Sequence, residues 1–411
     1  MWGDIAIAFL LAFITAFMVT PNTIKLAKKV GAVDVPKDER RMHKKPMPKL
    51  GGLAVIAGFL VSIIYLLITM TIENKIDLFT YEEYGKKLLG VLLGILIIGI
   101  TCFIDDIKNI KPLAKLSGQL LAAIVVVAFR VRIDNIDLPF FNNISELTSI
   151  LITIIWIIGI TNSINLIDGL DGLSSGISVI SCLSLIIIFA LNGSPLIAII
   201  MVTALAGALV GFLPFNFNPA KTFLGDTGSN FLGFILSIIS ILGIAKTYTV
   251  VVIVLPIIVL ALPIFDTIFA IIRRIVTGKS LKAVFMADKG HLHHKLVARG
   301  FSHKQAVLIL YGLSATLGMF AVILLDSGIW KAISFALMIV AVIGLCYKNF
   351  TKFKDSDIKQ YECINCKYIY NPKYGNESAG IGKDTEFLDL PKTWVCPVCG
   401  MEKKSFQPYK D

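Results

Sequence analysis

Eleven apolar runs divide most of this 411-residue chain, at roughly residues 3–23, 51–71, 87–104, 116–130, 147–161, 173–191, 195–213, 229–245, 249–270, 306–325 and 329–347. A segment entering lipid must satisfy its own backbone polar groups, and a helix of about 20 apolar residues does so. The chain is therefore expected to be an all-α polytopic membrane protein with about 11 transmembrane helices. The fourth and fifth runs are short for a crossing, so hydropathy leaves their ends open. Charged residues make up 16% of the chain, against about a quarter in a soluble domain. The first run has no basic segment before it and no small-residue cleavage site after it, and reads as a retained span.

The formal charge of +11 would suit nucleic acid, but its distribution argues otherwise: nine Lys/Arg fall between Lys25 and Lys49 and eight between Arg273 and Lys304. The alternate loops, around 72–86 and 131–149, are poor in them. That is the positive-inside pattern, with the N-terminus outside and the C-terminus cytoplasmic. The same topology puts the polar loops 24–50, 105–115, 162–172, 214–228 and 271–305 on one face. A transporter would instead hold its ionisable groups near mid-bilayer.

Those loops carry the chemistry. Asp105 and Asp106 end the third run, followed by Pro112, Lys115 and Gln119. Adjacent carboxylates at a membrane boundary are costly unless a cation joins them, and Mg2+ commonly bridges carboxylates to substrate phosphates. A solvated helix end is the plain alternative. In the second loop Asn162 and Asn165 are three residues apart, as are Asp168 and Asp171, which suits one face of a helical or turning element. We read a polar binding wall there rather than an ordinary Asn/Asp/Gly turn. Residues Phe223 to Ser229 open a new span with Gly, Thr and Ser, whose backbone donors suit phosphate. Asp226 would repel that phosphate unless a metal lay between them, though N-capping by Asp226 or Ser229 explains the loop alone as well. His291, His293 and His294 lie within four residues, near Arg273, Arg274 and Arg299. They lack the spacing of a recognisable zinc site and suit a hydrogen-bonding clamp for a diphosphate. A solvated loop is the other reading.

In this order the motifs resemble the polyprenyl-phosphate N-acetylhexosamine-1-phosphate transferase superfamily, of the glycosyltransferase family 4 type, over about residues 1–345. The matching residues are Asp105-Asp106 with Pro112, Lys115 and Gln119, then Asn162 to Gly176, Phe223 to Gly233, and Asp266 through Leu296. The stretch ADKGHLHHKL is similar to the branch that uses UDP-N-acetylglucosamine (UDP-GlcNAc). The branch that takes UDP-muramoyl-pentapeptide usually has three consecutive histidines after Pro-Ile, and this chain does not. The resemblance implies transfer of N-acetylglucosamine-1-phosphate to undecaprenyl phosphate with release of UMP, starting a cell-envelope glycan. It implies Asp105, Asp106 and Asp226 as catalytic and Mg2+-holding carboxylates. It further places Asn162, Asn165, Asp168 and Asp171 along the uridine and sugar, and Lys115, Arg274, His291, His293 and His294 on phosphate oxygens. Lys25, Lys28 and Lys29 read as headgroup anchors. The rivals are a phospho-MurNAc-pentapeptide transferase, a transporter and a membrane-anchored electron carrier.

Residues 1–347 thus form the expected transferase, 348–360 a charged linker and 361–411 a second domain. Cys102, Cys182 and Cys346 sit alone in apolar runs, whereas Cys363, Cys366, Cys396 and Cys399 form two C-x-x-C pairs. Two such pairs supply a tetrahedral site of four sulfurs for Fe or Zn, and disulfides are not expected on a cytoplasmic side. With Tyr368, Tyr370, Phe387, Trp394 and Phe406 as a core, the segment resembles rubredoxin, which implies a small β-rich domain holding iron, with zinc as the alternative. Lys367 stands where glycine is usual after the second cysteine, and Lys383-Asp384-Thr385 replaces the usual Pro-Gly-Thr turn. The implied partners are the two substrates, the bilayer and a soluble electron-transfer protein, without nucleic acid; a homodimer is compatible with this reading.

Overall fold

A computed structural model describes residues 2–36, 45–73, 82–133, 145–244, 250–278, 290–356 and 360–409, apart from 373, 377, 378, 383, 384, 386 and 392. Parts of the loops expected at 24–50, 72–86, 131–149 and 271–305 lie outside the described residues, as do Lys383 and Asp384.

Each apolar run lies on a helix. The first eight are α1 (Trp2–Val30), α2 (Gly52–Ile72), α3 (Glu82–Lys108), α4 (Pro112–Ala128), α5 (Glu146–Ile167), α6 (Leu173–Leu191), α7 (Leu196–Asn216) and α8 (Gly225–Ile244). The ninth run is divided between α9 (Val250–Val259) and α10 (Ala261–Gly278). Pro263 explains the division: it has no N–H for the carbonyl of Val259, and its ring crowds that carbonyl. A short helix, α11 (Leu292–Ala298), precedes α12 (His303–Ser327) and α13 (Ile329–Ser356). Among the described residues, eight helices are long and apolar enough to cross a membrane, and α4 and the Ile329–Val342 part of α13 are shorter.

The two short runs gain length for different reasons. Pro112 starts α4, where a fixed φ suits the first helical position and the missing N–H costs nothing. Ser145 caps α5 by accepting from Thr148 N at 3.2 Å. This helix continues past its apolar run to Ile167 because Asn162 and Asn165 bond to other helices instead of facing lipid.

The surface is apolar and much of the interior is small or polar. Leu10, Ile14, Ile68, Leu96, Ile155 and Phe269 are exposed, while Ala8, Ala12, Ala16, Ser174 and Ser178 are buried. Lipid tails are as apolar as leucine, so close packing of small residues draws such helices together. A Cβ on Gly58 of α2 would meet the carbonyl oxygen of Ala12 at 2.6 Å, and one on Gly207 or Gly211 of α7 would strike those of Phe9 or Phe13.

On one face, backbone pairing joins distant loops. β1 (Val33–Asp34) pairs antiparallel with β2 (Met47–Pro48), Val33 opposite Pro48. The chain after β2 then bonds to the loop before α8: Phe223 N donates to Pro48 O (2.8 Å), Gly51 N to Phe223 O (3.0 Å) and Gly52 N to Leu224 O (2.8 Å).

The chain forms two compact units, Met1–Ala332 and Ile333–Asp411. In the second, α13 continues through most of the charged stretch to Ser356. Beyond it lies a three-stranded antiparallel sheet in the order β4-β3-β5, made of β3 (Tyr361–Cys363), β4 (Ile369–Tyr370) and β5 (Phe406–Pro408). Tyr370, Phe387, Trp394 and Phe406 are buried against one another, while Tyr368 packs at the edge.

The loop pairing is tight enough to test. A Cβ on Gly52 would overlap the Gly228 Cα and meet Leu224 O at 2.8 Å. Because both obstacles are backbone, Gly52→Ala should destabilise by about 1–3 kcal/mol, read as a lower melting temperature in detergent. An unchanged melting temperature would contradict the packing.

Candidate functional site

The site is built on the first turn of α8. A helix start leaves backbone N–H groups without partners, and a carboxylate satisfies them best. Here Asp106, from the last turn of α3, accepts from Asp226 N (3.0 Å), Thr227 N (2.9 Å) and the Thr227 hydroxyl (2.6 Å). It is only 2% exposed. Gly225 turns the chain into this position with φ +75°, and a Cβ there would strike the carbonyl oxygen of Lys49. Asp106 therefore positions the element that carries Asp226.

Asp226 in turn meets α4 and α5. Its Oδ1 accepts from the Lys115 ammonium and from Asn165 Nδ2 (2.8 Å). Lys115 also lies 3.3 Å from Asp105 Oδ2 and 3.3 Å from Asn165 Oδ1. Asp105 Oδ1 accepts from Ile110 N at 2.9 Å, and Asn165 donates to Ser229 Oγ at 2.8 Å. Behind this node an amide chain fixes the helices: Asn162 Nδ2 donates to Gln119 Oε1 (2.8 Å), Gln119 Nε2 to Asn230 Oδ1 (2.7 Å), and Asn230 Nδ2 to Asp226 O (2.8 Å). Buried amides so paired rigidify a site because each broken link would leave an unsatisfied polar group.

The node opens on a cavity of about 930 Å3, lined by Asp106, Asn165, Asp168, Asp171, Asp226 and His294 among the expected residues. Asp168 has no hydrogen-bond or ion-pair partner for its carboxylate among the described residues. Its pKa is pushed up to about 8, first by burial and then by the carboxylates of Asp226, Asp106 and Asp171. Asp171 is committed to the wall, accepting from Asn218 Nδ2 (2.9 Å) and Ala220 N (3.1 Å).

The histidines divide their positions. His291 Nδ1 lies 2.8 Å from Asp266 Oδ2, whose other oxygen accepts from Leu292 N at 2.9 Å. Arg274 Nη2 is 3.5 Å from His291 Nε2. His293 is buried between the rings of His291 and His294, at 5.8 and 4.2 Å, with its Nε2 edge against Gly169. Burial, then the neighbouring histidines, lower its pKa to about 3, so it is neutral. Among the three, His294 is the one lining the cavity. Lys115 and Asp105 adjoin the cavity through Asp226, and Asn162, Arg274, His291 and His293 stand behind its wall.

Several participants escaped sequence reasoning. Thr227 and Ser229 read in the sequence as phosphate donors or a cap, whereas here they bond to Asp106 and Asn165, and Asn230 carries no signal of its link to Gln119. Lys49, which lines the cavity 3.9 Å from Asp106 Oδ1, shows in the sequence only as one basic residue among the nine of Lys25 to Lys49.

In the second unit the four sulfurs of Cys363, Cys366, Cys396 and Cys399 lie within 4.8 Å of one another, with Cys363–Cys399 at 3.6 Å and Cys366–Cys396 at 3.5 Å. Tetrahedral metal–sulfur bonds of about 2.3 Å require sulfurs about 3.8 Å apart, so the four fit one ion. The two knuckles repeat each other: Cys363 N donates to Tyr368 O and Lys367 N to Cys363 O, as Cys396 N does to Met401 O and Gly400 N to Cys396 O. Lys367 (φ +63°) thus holds the left-handed place that Gly400 (φ +71°) holds in the other, at a cost of about 1–2 kcal/mol. Among the described residues, this is the sole group of three or more such ligands so close together.

The sequence matches glycosyl transferase family 4 over residues 88–244 and rubredoxin over residues 360–406. It is similar to a probable undecaprenyl-phosphate N-acetylglucosaminyl 1-phosphate transferase of Bacillus subtilis, at 39% identity covering 87% of this chain and 98% of that one. A decaprenyl-phosphate N-acetylglucosaminephosphotransferase of Mycobacterium tuberculosis is 33% identical over 75% of this chain and 79% of its own. A phospho-N-acetylmuramoyl-pentapeptide-transferase of Streptococcus thermophilus is 29% identical over 57% of this chain and 71% of its own.

Two expectations follow from the geometry. A carboxyl group whose pKa is higher folded (about 8 for Asp168) than unfolded (about 4) favours folding while protonated. Without a divalent cation, stability should therefore fall as pH rises between those values, and Asp168→Asn should flatten the fall in thermal unfolding with chelator present. An equally steep fall in the variant would count against the assignment. In the second unit, Cys396→Ser should lose the bound metal on elemental analysis and the near-ultraviolet dichroism of Trp394, while the helical signal of residues 1–332 persists.

Proposed function

Because this chain belongs to glycosyl transferase family 4, among the membrane enzymes that transfer N-acetylglucosamine phosphate to a polyprenyl phosphate, we propose that its donor is UDP-GlcNAc, its acceptor undecaprenyl phosphate and its by-product UMP. The observation that carries this reading is the start of α8, where Asp226, Lys115 and Asn165 meet beside a cavity that Asp168 also lines. A cavity of this size falls within the range of small-molecule sites.

In the reaction an oxygen of the lipid phosphate bonds to the β-phosphorus of the donor. The bond from that phosphorus to the bridging oxygen breaks, and the bridging oxygen leaves with UMP. One phosphoanhydride replaces another, so the exchange is near balance. Both reactants are anions, and their repulsion is the first barrier. The Asp168 carboxylate, without a hydrogen-bond or ion-pair partner among the described residues and lining the same cavity as Asp226, fits a divalent cation, since Mg2+ takes one or two carboxylates together with substrate phosphates. When bound there, Mg2+ would supply charge neutralisation to the diphosphate. Lys115 and Asn165 hold Asp226 in place, Asp105 keeps Lys115 against it, and Asp106 sets the start of α8. His294 reaches phosphate oxygens, backed by His293, His291 and Arg274. Asn162 and Asp171 hold the walls along uridine and sugar.

The Lys/Arg distribution supports a cytoplasmic site, with the product beginning an envelope glycan. The four-cysteine site reads as iron exchanging electrons with a soluble partner, with zinc as the alternative that metal analysis selects or excludes.

The test is transfer from labelled UDP-GlcNAc to undecaprenyl phosphate in detergent with Mg2+, beside UDP-muramoyl-pentapeptide. UMP and a lipid-linked sugar should form from the first donor. Asp226→Asn should lower the rate by at least about a hundredfold, on the scale of losing one preorganised charged group. Product from the pentapeptide donor alone, or full activity in the variant, would overturn the reading.

A further inference from the structure

Among the described residues, Lys49 is an enclosed cation at this cavity that the protein leaves without a hydrogen bond. Lys115, by contrast, is shared among Asp226, Asp105 and Asn165. Lys49 Nζ lies 3.9 Å from Asp106 Oδ1, beyond hydrogen-bond distance, and its side chain is 17% exposed. Asp106 is already occupied by three donors from α8. An ammonium so enclosed loses much of its hydration and gains only a loose ion pair, an arrangement that favours an incoming acceptor.

The backbone under Lys49 is fixed on both sides. Its N–H donates to Ala32 O at 3.0 Å, the preceding Pro48 O accepts from Phe223 N, and Gly51 N donates to Phe223 O. The backbone that carries this side chain is therefore fixed by strand pairing rather than lying in a free loop, and Lys49 lines the cavity together with Asp106 and Asp226. The other two lysines differ. Lys221 lies over the ring of Phe215 at 5.7 Å, and Lys45 is exposed.

We propose that the Lys49 ammonium binds a phosphate oxygen, from either the donor diphosphate or the acceptor lipid phosphate, and so positions it against Asp226. A compact ammonium with three donors suits a phosphate oxygen as a point charge. The inference rests on the transferase reading, which brings both kinds of phosphate into this cavity.

The test compares the full wild-type chain with K49M and K49R in detergent, measuring kcat and the KM for UDP-GlcNAc and for undecaprenyl phosphate. K49M should raise one KM about ten- to hundredfold, the value of a charged hydrogen bond, while K49R stays close to wild type. A raised UDP-GlcNAc KM assigns the contact to the donor, and a raised undecaprenyl phosphate KM assigns it to the acceptor. Calorimetric binding of UMP and of a short prenyl phosphate to the same proteins decides the matter independently of turnover. If wild type binds these but makes no lipid-linked sugar, the transferase reading fails while the binding comparison still decides Lys49. Unchanged affinities and KM values in K49M, or a fall confined to kcat, overturn the inference.

Discussion

A carboxylate closing the first turn of a neighbouring helix is the contact on which the rest of the site depends. At a membrane boundary an isolated Asp106 would be expensive, and so would the open N–H groups of α8. Their union removes both costs and fixes where α8 begins. Asp226 inherits its place from that start, Lys115 and Asn165 are drawn to Asp226, and the amide chain through Gln119 and Asn230 locks α4, α5 and α8 behind them. The polar groups of the site are thus also the adhesive between helices whose apolar faces gain little by meeting in lipid.

How much of this could be read in the sequence depended on range. The helices were legible because lipid imposes a length and a composition on each one. The interruption between α9 and α10 was legible in principle, since Pro263 forbids the hydrogen bond that would have continued the helix. The residues of the node were all in view, yet their roles were not. Asp105 and Asp106 look equivalent in a sequence; one meets Lys115 and the other the first turn of α8. The histidines looked like one clamp, but α11 begins at Leu292 and turns His293 toward Gly169 while His294 reaches the cavity. Hydropathy could not reveal which helix would lie opposite.

The second unit was more transparent because its chemistry is local. Each C-x-x-C pair closes on itself through two short backbone bonds, and the same arrangement repeats in both knuckles. Lys367 shows that the left-handed turn is kept even without glycine. Its modest strain persists because the backbone bonds from Lys367 N to Cys363 O and from Cys363 N to Tyr368 O close the turn around it.

The strand pairing beneath Lys49 also sets an order of events. Pro48 bonds to Thr222, 174 residues further along. At a synthesis rate of roughly 5–20 residues per second, the early segment must wait about 10–35 s before its partner emerges. Six helices, α2 to α7, are made in that interval. The strand edge at Met47–Pro48 therefore waits for its second partner until the loop before α8 arrives, and the cavity wall closes later still, when His294 and His303 follow.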